Sequence, residues 1–199
     1  MRVNYVPEPS ASTPSSEREI VDRIRARRAP DGLLELDRIL LHSVPLAAGW
    51  DCFFRNIRTN TLLAADVREL AICRVAVLNQ AWYEWMHHAP LARAAGISET
   101  ALDSILAGGQ EGLSRTLQLV VRYTDAVTKD VAVSGQLFDE VQAAFSTRDV
   151  VELTATIAAY NCVSRFLVAL NIGDCNERPP GKLTPREDKD QARSVVSRF

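Results

Sequence analysis

Two residues whose types and spacing suit proton transfer, Glu84 and His88, lie four positions apart in the segment 81–95. Side chains at this spacing stack on one side of an α-helix, so the carboxylate and the imidazole can meet. A neighbouring carboxylate strengthens the hold of a histidine on its proton, whereas burial favours the neutral form of either group. The same spacing also occurs in ordinary surface contacts worth about 0.2–0.5 kcal/mol, and taken alone it favours that simpler interpretation.

Further polar and aromatic side chains surround this pair. Glu69 lies one turn before Cys73, on a helix that has little solvated surface. Tyr83 and Trp85 flank Glu84 on the second helix. His87 is adjacent to His88 but points roughly 100° away around the helix axis, so we predict that it does not share the same face.

The helix that carries the pair is one of a series. The apolar residues of 65–79 form a stripe wide enough to predict a largely buried helix, and the helix over 81–95 ends at Gly96, a residue suited to that position. Serines that suit N-cap positions predict the four later helices, and Gly173 is expected to close the last of them. These serines are Ser98, Ser114, Ser134 and Ser146, the last with Thr147 as an alternative.

Three helices are predicted ahead of this region. Ser16 and Glu19 form a capping box that opens the first, and a second follows Asp31-Gly32. Pro45 suits the first turn of the third. The apolar side of that third helix is expected to carry Trp50, Phe53, Phe54 and Ile57. Because no segment alternates with a period of two between hairpin turns, the sequence predicts an all-α protein, a compact bundle of about eight helices.

Composition and charge exclude several classes of function. Of the 199 residues, 47% are hydrophobic and 24% charged, and the net charge of −2 favours neither nucleic acid nor an anionic membrane as a partner. The longest apolar segments, near 70–78 and 157–170, are interrupted by polar residues, and the first 20 residues lack the apolar run of a signal peptide. We therefore expect a cytoplasmic protein without a membrane-spanning segment.

The chain divides into three parts. Residues 1–14 contain three prolines and predict a flexible leader, 15–175 form a single helical domain, and 176–199 are polar and charged. This last part is expected to be a tail that stays disordered or covers a partner subunit. The wide apolar stripes and the charged tail together suggest a homo-oligomer.

The cysteines are spread too widely to suggest a redox or metal centre. There is neither a CxxC pair nor a Cys/His cluster at the spacing of zinc ligands, so we expect reduced thiols and no metal site. The four are Cys52, Cys73, Cys162 and Cys175.

Several short motifs in the stretch 68–99 resemble one known family. They are Arg68-Glu69-Leu70-Ala71-Ile72, Tyr83-Glu84-Trp85, His88, Ala92 and Gly96-Ile97-Ser98-Glu99. Together they resemble the carboxymuconolactone decarboxylase-like family, which includes the alkylhydroperoxidase D-like proteins. The resemblance implies an all-α fold, assembly as homotrimers or hexamers, and sites near subunit contacts.

The redox branch of that family begins its second helix with CxxCxxxH and uses an upstream glutamate as a proton relay. Aligning the histidine with His88 places Ala81 and Glu84 at the two cysteine positions and Glu69 at the relay position. Disulfide formation needs two sulfurs within reach, so this helix cannot supply the dithiol of a peroxidase. Cys73, on the preceding helix, does not restore the pair.

The decarboxylase branch is similar to this sequence in having a Glu/His pair without redox cysteines, metal or organic cofactor. Its chemistry is proton transfer on a lactone acid, in which loss of CO₂ leaves a carbanion or dienolate to be protonated. The resemblance implies His88 as general acid/base, Glu84 as its orienting partner or second proton carrier, and Glu69 as a buried relay.

The implied substrate is a small organic acid or lactone, and the planar fork of an arginine suits its carboxylate. We predict Arg74 for this role, with Arg68 as the alternative, and Tyr83 and Trp85 as further substrate contacts. Two other interpretations stay open at this point. One is peroxiredoxin-like alkylhydroperoxidase activity, and the other is a non-catalytic helical protein that keeps the scaffold for binding or assembly.

Overall fold

The computed structural model describes residues 1–7, 13–30, 32–177 and 179–181, and within them the chain forms nine α-helices and no β-strand. The helices are α1 (Ser15–Arg28), α2 (Glu35–Leu40), α3 (Val44–Arg55), α4 (Ala65–Leu78), α5 (Trp82–Ala94), α6 (Glu99–Leu106), α7 (Arg115–Asp125), α8 (Gly135–Ala144) and α9 (Thr147–Leu170). Short π-helical turns, Asn56–Asn60 and Ala126–Asp130, extend α3 and α7, and a 3₁₀ turn, Ile172–Asp174, follows α9. The all-α prediction is confirmed, while most of the predicted C-terminal tail lies outside the described residues.

Helix α4 lies at the centre of the bundle because it is apolar on nearly every side. Its residues 70–73 are fully buried, and the helix packs against α5, α7 and α9. A helix without a solvated face must satisfy its charged side chains inside the protein. This holds for Glu69 and Arg74, which are both buried, so α4 presents a buried carboxylate to α5.

The predicted serine caps are confirmed for the four later helices. In each, the serine Oγ accepts a hydrogen bond from the backbone N–H three residues further on. Gly96 follows α5 with a φ of 100°, as the sequence predicts for the residue after a helix.

The predicted capping box at the start of α1 is wrong. The helix begins one residue earlier, behind Pro14, so Ser16 already lies inside it and no side chain caps this end. The carbonyl of Pro14 accepts the N–H groups of Glu17 and Arg18, and these backbone bonds replace the predicted side-chain cap.

The predicted closure of α9 by Gly173 is also wrong. The helix ends at Leu170 because Asn171 adopts the left-handed conformation, with φ of 50° and ψ of 51°. Gly173 lies in the following 3₁₀ turn, where an added Cβ would stand 2.8 Å from Cδ2 of Tyr83. Glycine therefore permits the close approach of this turn to the Tyr83 ring.

Phe53 departs from the apolar face predicted for the third helix. Phe54 occupies the inner position, with its ring 4.6 Å from that of Trp50 and 6.0 Å from that of Tyr160. Phe53 contacts only the edge of Phe54 and remains 51% exposed. One inward aromatic side chain fills the space at this level, so its neighbour stays at the surface.

Residues 1–7, the first half of the leader predicted over 1–14, lie against the helical body, and residues 8–12 of that leader lie outside the described residues. The backbone N–H of Arg2 donates to the carbonyl of Leu170, and its Nη1 donates to Ala169. Val6 and Arg38 exchange two further bonds. The segment thus satisfies free carbonyls at the end of α9, which have no partner within the helix, and ties them to α2.

By length and hydropathy, α9 alone among helices in the described ranges could cross a membrane. Core helices of globular proteins meet the same criteria, and here α9 packs against α4, α5 and α8. Its buried face carries Tyr160 and Ser164, which bear on the candidate site.

Candidate active site

A small cavity lies where α5, α9 and the α1–α2 region meet. Its lining residues are Tyr83, Glu84, His87 and His88 from α5, Val163 and Leu167 from α9, Arg28, Leu34 and Leu36 from α1 to α2, and Arg58 from the π-helical turn after α3. The cavity volume is about 30 Å³, room for about two water molecules. Leu34 and Leu36 form its roof, so a larger ligand requires that roof to move.

An open groove of about 240 Å³ lies beside the cavity, lined by Arg58, Arg68, Glu69 and four apolar residues. Since His88 lines the cavity and Glu69 lines the groove, the hydrogen-bonded pair that they form stands between the two spaces. Arg58 lines both.

His88 pairs with Glu69, not with Glu84 as the four-residue spacing predicts. Its Nδ1 lies 2.7 Å from Oε2 of Glu69, and each residue is only 4% exposed. The other carboxylate oxygen of Glu69 accepts from Nε of Arg68 at 3.1 Å. An ionised Glu69 accepts the proton on Nδ1, which leaves the lone pair of a neutral imidazole on Nε2. Nε2 has no hydrogen-bond partner among the described residues, so it is the nitrogen available for proton transfer.

The surroundings of this pair lower the pKa of both members. Burial lowers the pKa of His88 below its ordinary value, although Glu69 acts to raise it, and the nearby Arg58 and Arg28 lower it further. For Glu69, burial acts to raise the pKa, but His88 and then Arg68 hold it below its ordinary value. At neutral pH the site therefore holds a neutral imidazole that is oriented by a carboxylate.

Glu84 makes its hydrogen bond to α9. Both of its carboxyl oxygens lie near Oγ of Ser164, at 3.3 and 3.1 Å, and the same Oγ lies 2.7 Å from the carbonyl of Tyr160. A serine hydroxyl has one proton. That proton is shared between the Tyr160 carbonyl and the Glu84 carboxyl, and Ser164 is the only side-chain hydrogen-bond partner of Glu84 among the described residues.

Burial favours the protonated form of the Glu84 carboxyl. It raises the pKa of the carboxyl well above its ordinary value, although Ser164 and Arg58 act to lower it. Glu84 forms no ion pair with any described residue. Glu69, in contrast, accepts hydrogen bonds from Nε of Arg68 and Nδ1 of His88. The cavity is thus bordered by a neutral acid, Glu84, and a neutral base, His88.

Three residues that sequence reasoning missed complete this arrangement. Nε of Arg58 donates to Oη of Tyr160 at 2.7 Å, and the Tyr160 ring meets the His88 ring edge-on at 4.9 Å. Ser164 is the third. The polar interruption of the apolar run 157–170 at Ser164 was the available signal, whereas Arg58 and Tyr160 carry none in the sequence.

Two of the predicted substrate contacts lie elsewhere. Arg74 forms a two-pronged ion pair with Asp125, at 2.6 and 2.8 Å, and lines neither the cavity nor the groove. The reason is helical geometry, since Glu69 and Arg74 are five positions apart and point to different sides of α4. Trp85 is 1% exposed and packs in the core. Neither residue lines the cavity or the groove, so the structure does not place them with His88.

The remaining predicted residues are placed at or beside the cavity. Tyr83 lines it, and its Oη donates to Glu35 at 3.0 Å, which links α5 to the roof. His87 also lines it, contrary to the expectation that it would face away, because the cavity extends around the α5 surface towards the α1–α2 region. Arg68 lines the groove and holds Glu69.

The thiols lie apart from this constellation. Cys73 is buried, and burial raises its pKa well above the ordinary value, with Glu69 and Glu84 adding to the shift. Cys52 and Cys162 are exposed and Cys175 is half-buried. In the ranges that the structure describes, no group of three or more His, Cys, Asp or Glu side chains is arranged to hold a metal ion.

Residues 45–111 match the model of the carboxymuconolactone decarboxylase family, and this segment contains Glu69, Glu84 and His88. Over this segment, about a third of the chain, the protein is similar to the carboxymuconolactone decarboxylase family. Tyr160 and Ser164, and the roof residues Leu34 and Leu36, lie outside the matched segment. The candidate site is therefore assembled from the matched segment and from helices on both sides of it.

Solved structures agree in fold. An alkylhydroperoxidase AhpD core, an uncharacterized peroxidase-related protein from Ralstonia eutropha JMP134, is 14% identical with a TM-score of 0.71, covering 98% of this chain and 96% of that one. An uncharacterized peroxidase-related protein from Silicibacter sp. TM1040 is 10% identical with a TM-score of 0.69, covering 86% and 92%. A variant of the debrominase Bmp8 in complex with 2,3,4-tribromopyrrole is 14% identical with a TM-score of 0.69, covering 96% and 98%. A search of curated proteins gives no significant match.

Proposed function

We propose that this protein is an acid–base enzyme that decarboxylates or isomerises a small organic acid or lactone, with His88 as the group that transfers the proton. One observation carries the proposal. The imidazole is held through Nδ1 by the buried carboxylate of Glu69, while Nε2 has no hydrogen-bond partner among the described residues and His88 lines the cavity. A neutral imidazole with a fixed tautomer is the form that accepts a proton.

Glu84, the second titratable group at the cavity, is the proton donor of the proposed reaction. In an isomerisation, Nε2 of His88 removes a proton from carbon, and a protonated Glu84 gives one to another position of the resulting dienolate. In a decarboxylation, the carbon–carbon bond breaks with loss of CO₂, and the electron pair left on carbon takes up a proton. Both reactions use proton donors and acceptors only, which agrees with the side chains that border the cavity.

Two comparisons support this class of chemistry. The matched family takes its name from a lactone decarboxylase. The debrominase neighbour holds a small substituted ring, so the fold accommodates ligands of that type. The names of the other two neighbours suggest peroxide chemistry. Here the helix positions that would carry the dithiol are Ala81 and Glu84, and the buried Cys73 has a raised pKa that opposes thiolate formation.

The test is the exchange of carbon-bound protons for deuterium. The protein is incubated in D₂O with a panel of small lactones and unsaturated acids, and NMR follows deuterium incorporation and loss of CO₂. We expect His88→Gln to lower the rate by about 10²–10⁴-fold, the usual contribution of a general acid–base group. His42→Gln is the matched control, since His42 is exposed and contacts only the Asn4 carbonyl.

The outcome separates the three interpretations. Exchange or CO₂ release that depends on His88 supports the proposal. A protein that binds panel members but leaves their protons unchanged would instead be the non-catalytic scaffold. Peroxide consumption that stops on thiol alkylation would assign it to the peroxidases.

A further inference from the structure

One cation at the cavity has no ion-pair partner. Among the residues that the structure describes, Arg58 makes one hydrogen bond, from Nε to Oη of Tyr160, and no carboxylate lies within ion-pair distance of it. A guanidinium has five N–H donors in a planar fork. Nη1 and Nη2 of Arg58 therefore keep donors that no described residue accepts, at a point where they line the cavity.

The other charges around the cavity compensate each other. Arg28 forms two hydrogen bonds with Asp37, at 3.1 and 3.3 Å, and Arg68 pairs with Glu69 at 3.1 Å. Each of these two arginines therefore has its own carboxylate, whereas Arg58 has none within ion-pair distance among the described residues. Glu35, the carboxylate next to the roof, accepts from Oη of Tyr83, and Glu84 accepts from Ser164.

We propose that Arg58 anchors a small monoanionic ligand, a carboxylate carried on a compact apolar group, at the cavity next to His88. This rests on the proposed function, because it names the class of substrate for the same site. The anion supplies the missing negative charge, and the planar fork of the guanidinium matches the two oxygens of a carboxylate. The facing walls, Leu34, Leu36, Val163 and Leu167, suit the apolar part.

A second carboxylate on the ligand would be disfavoured. The other arginine on the lining, Arg28, is already paired with Asp37, so a second carboxylate would have no free guanidinium to meet, and burying an unpaired charge is costly. The cavity of about 30 Å³ also limits the ligand to a few atoms unless the roof moves. The site therefore selects against dicarboxylates.

Arg58 is also reached from the open groove. The same side chain lines that groove, together with Arg68. An anion in the groove therefore meets the same guanidinium that lines the cavity. Arg58 is half-buried and lies on a π-helical turn, an irregular segment often found at functional sites.

Isothermal titration calorimetry in low-chloride buffer tests the proposal with three probes. Acetate is the monoanion, acetamide its neutral analogue, and malonate the dianion. We expect acetate to bind the wild type, and acetamide and malonate to bind at least about tenfold more weakly. Arg58→Gln should weaken acetate binding about 10–100-fold, as loss of a charge-assisted hydrogen bond does. The matched control is Arg55→Gln, three positions earlier and exposed, with acetate affinity unchanged.

Arg58→Lys keeps the charge without the fork and should fall between the wild type and Arg58→Gln. If circular dichroism shows that Arg58→Gln does not fold, acetate binding by Arg58→Lys tests the proposal instead. The proposal is overturned if the wild type binds no acetate, if malonate or acetamide binds as tightly as acetate, or if a folded Arg58 variant keeps wild-type affinity. Arg58-dependent acetate binding in a protein that exchanges no carbon-bound protons would uphold this site and reject the proposed function.

Discussion

The two buried carboxyl groups of the site, Glu69 and Glu84, lie in surroundings that shift their pKa values in opposite directions. Where α4 meets α5, Glu69 receives hydrogen bonds from His88 and Arg68, and it is held ionised. Where α5 meets α9, Glu84 has only the Ser164 hydroxyl, and burial keeps it protonated. The residue type is identical, so the difference comes from the partners that the neighbouring helix supplies.

This contrast assigns roles that the residue types alone do not. An ionised carboxylate orients an imidazole and stabilises its protonated form, whereas a protonated one is a proton donor. Pairs of titratable groups whose environments push their pKa values apart are typical of acid–base sites. The comparison can be tested by removing each charge, each proton and each partner in turn.

The largest expected effect follows from Glu69→Gln. The change leaves Arg68 without its carboxylate and gives Nδ1 of His88 a neutral partner. Breaking a buried pair by removing one member typically costs about 3–5 kcal/mol, and we expect the lower end because Arg68 is partly exposed. Urea unfolding at neutral pH measures the loss. Glu84→Gln is the matched control, and we expect it to cost less than about 1 kcal/mol because it replaces a neutral group. Equal losses from the two variants would contradict the contrast.

A smaller loss is expected from Ser164→Ala. It removes the hydroxyl that hydrogen-bonds Glu84 and leaves a buried carboxyl without a partner, which costs about 1–3 kcal/mol. The control is the same substitution in a Glu84→Met background, where no carboxyl remains and the additional loss should be small. An equal decrease in the free energy of unfolding in both backgrounds would mean that Ser164 stabilises the protein through packing alone.

The smallest effect is a difference in pH dependence. Because the folded pKa of Glu84 is raised, its contribution to stability is fully present below the ordinary carboxyl pKa and is lost as pH rises through the folded value. Relative to Glu84→Gln, the free energy of unfolding of the wild type should therefore decrease with rising pH above that ordinary value. Glu69 acts in the opposite direction, with stability lost as pH falls, since its pKa is lowered. Parallel curves for the wild type and Glu84→Gln would show that Glu84 is ionised in the folded protein.

The sequence predicts most of the fold because its signals are local. Serine caps, the apolar stripe of α4 and the Gly96 stop act within one or two helical turns, and the structure has them where expected. The start of α1 and the end of α9 differ because Pro14 and Asn171 compete with the predicted signals.

The site is less predictable because its partners come from distant helices. Periodicity places Glu84 and His88 on one helix, but the choice of partner depends on what α4 and α9 present to them. Arg74 has the residue type of an anion ligand but points to α7, and Arg58 takes its position from a π-helical turn that no sequence pattern predicts.

The measurement that tests the central claim most directly is the infrared carboxyl spectrum at neutral pH. A protonated carboxyl has a C=O stretch distinct from that of a carboxylate. We expect the wild type to show this band, Glu69→Gln to keep it, and Glu84→Gln to lose it. A wild-type spectrum without the band, or a band lost in Glu69→Gln and kept in Glu84→Gln, would contradict the assignment of Glu84 as the neutral acid and Glu69 as the ionised partner of His88.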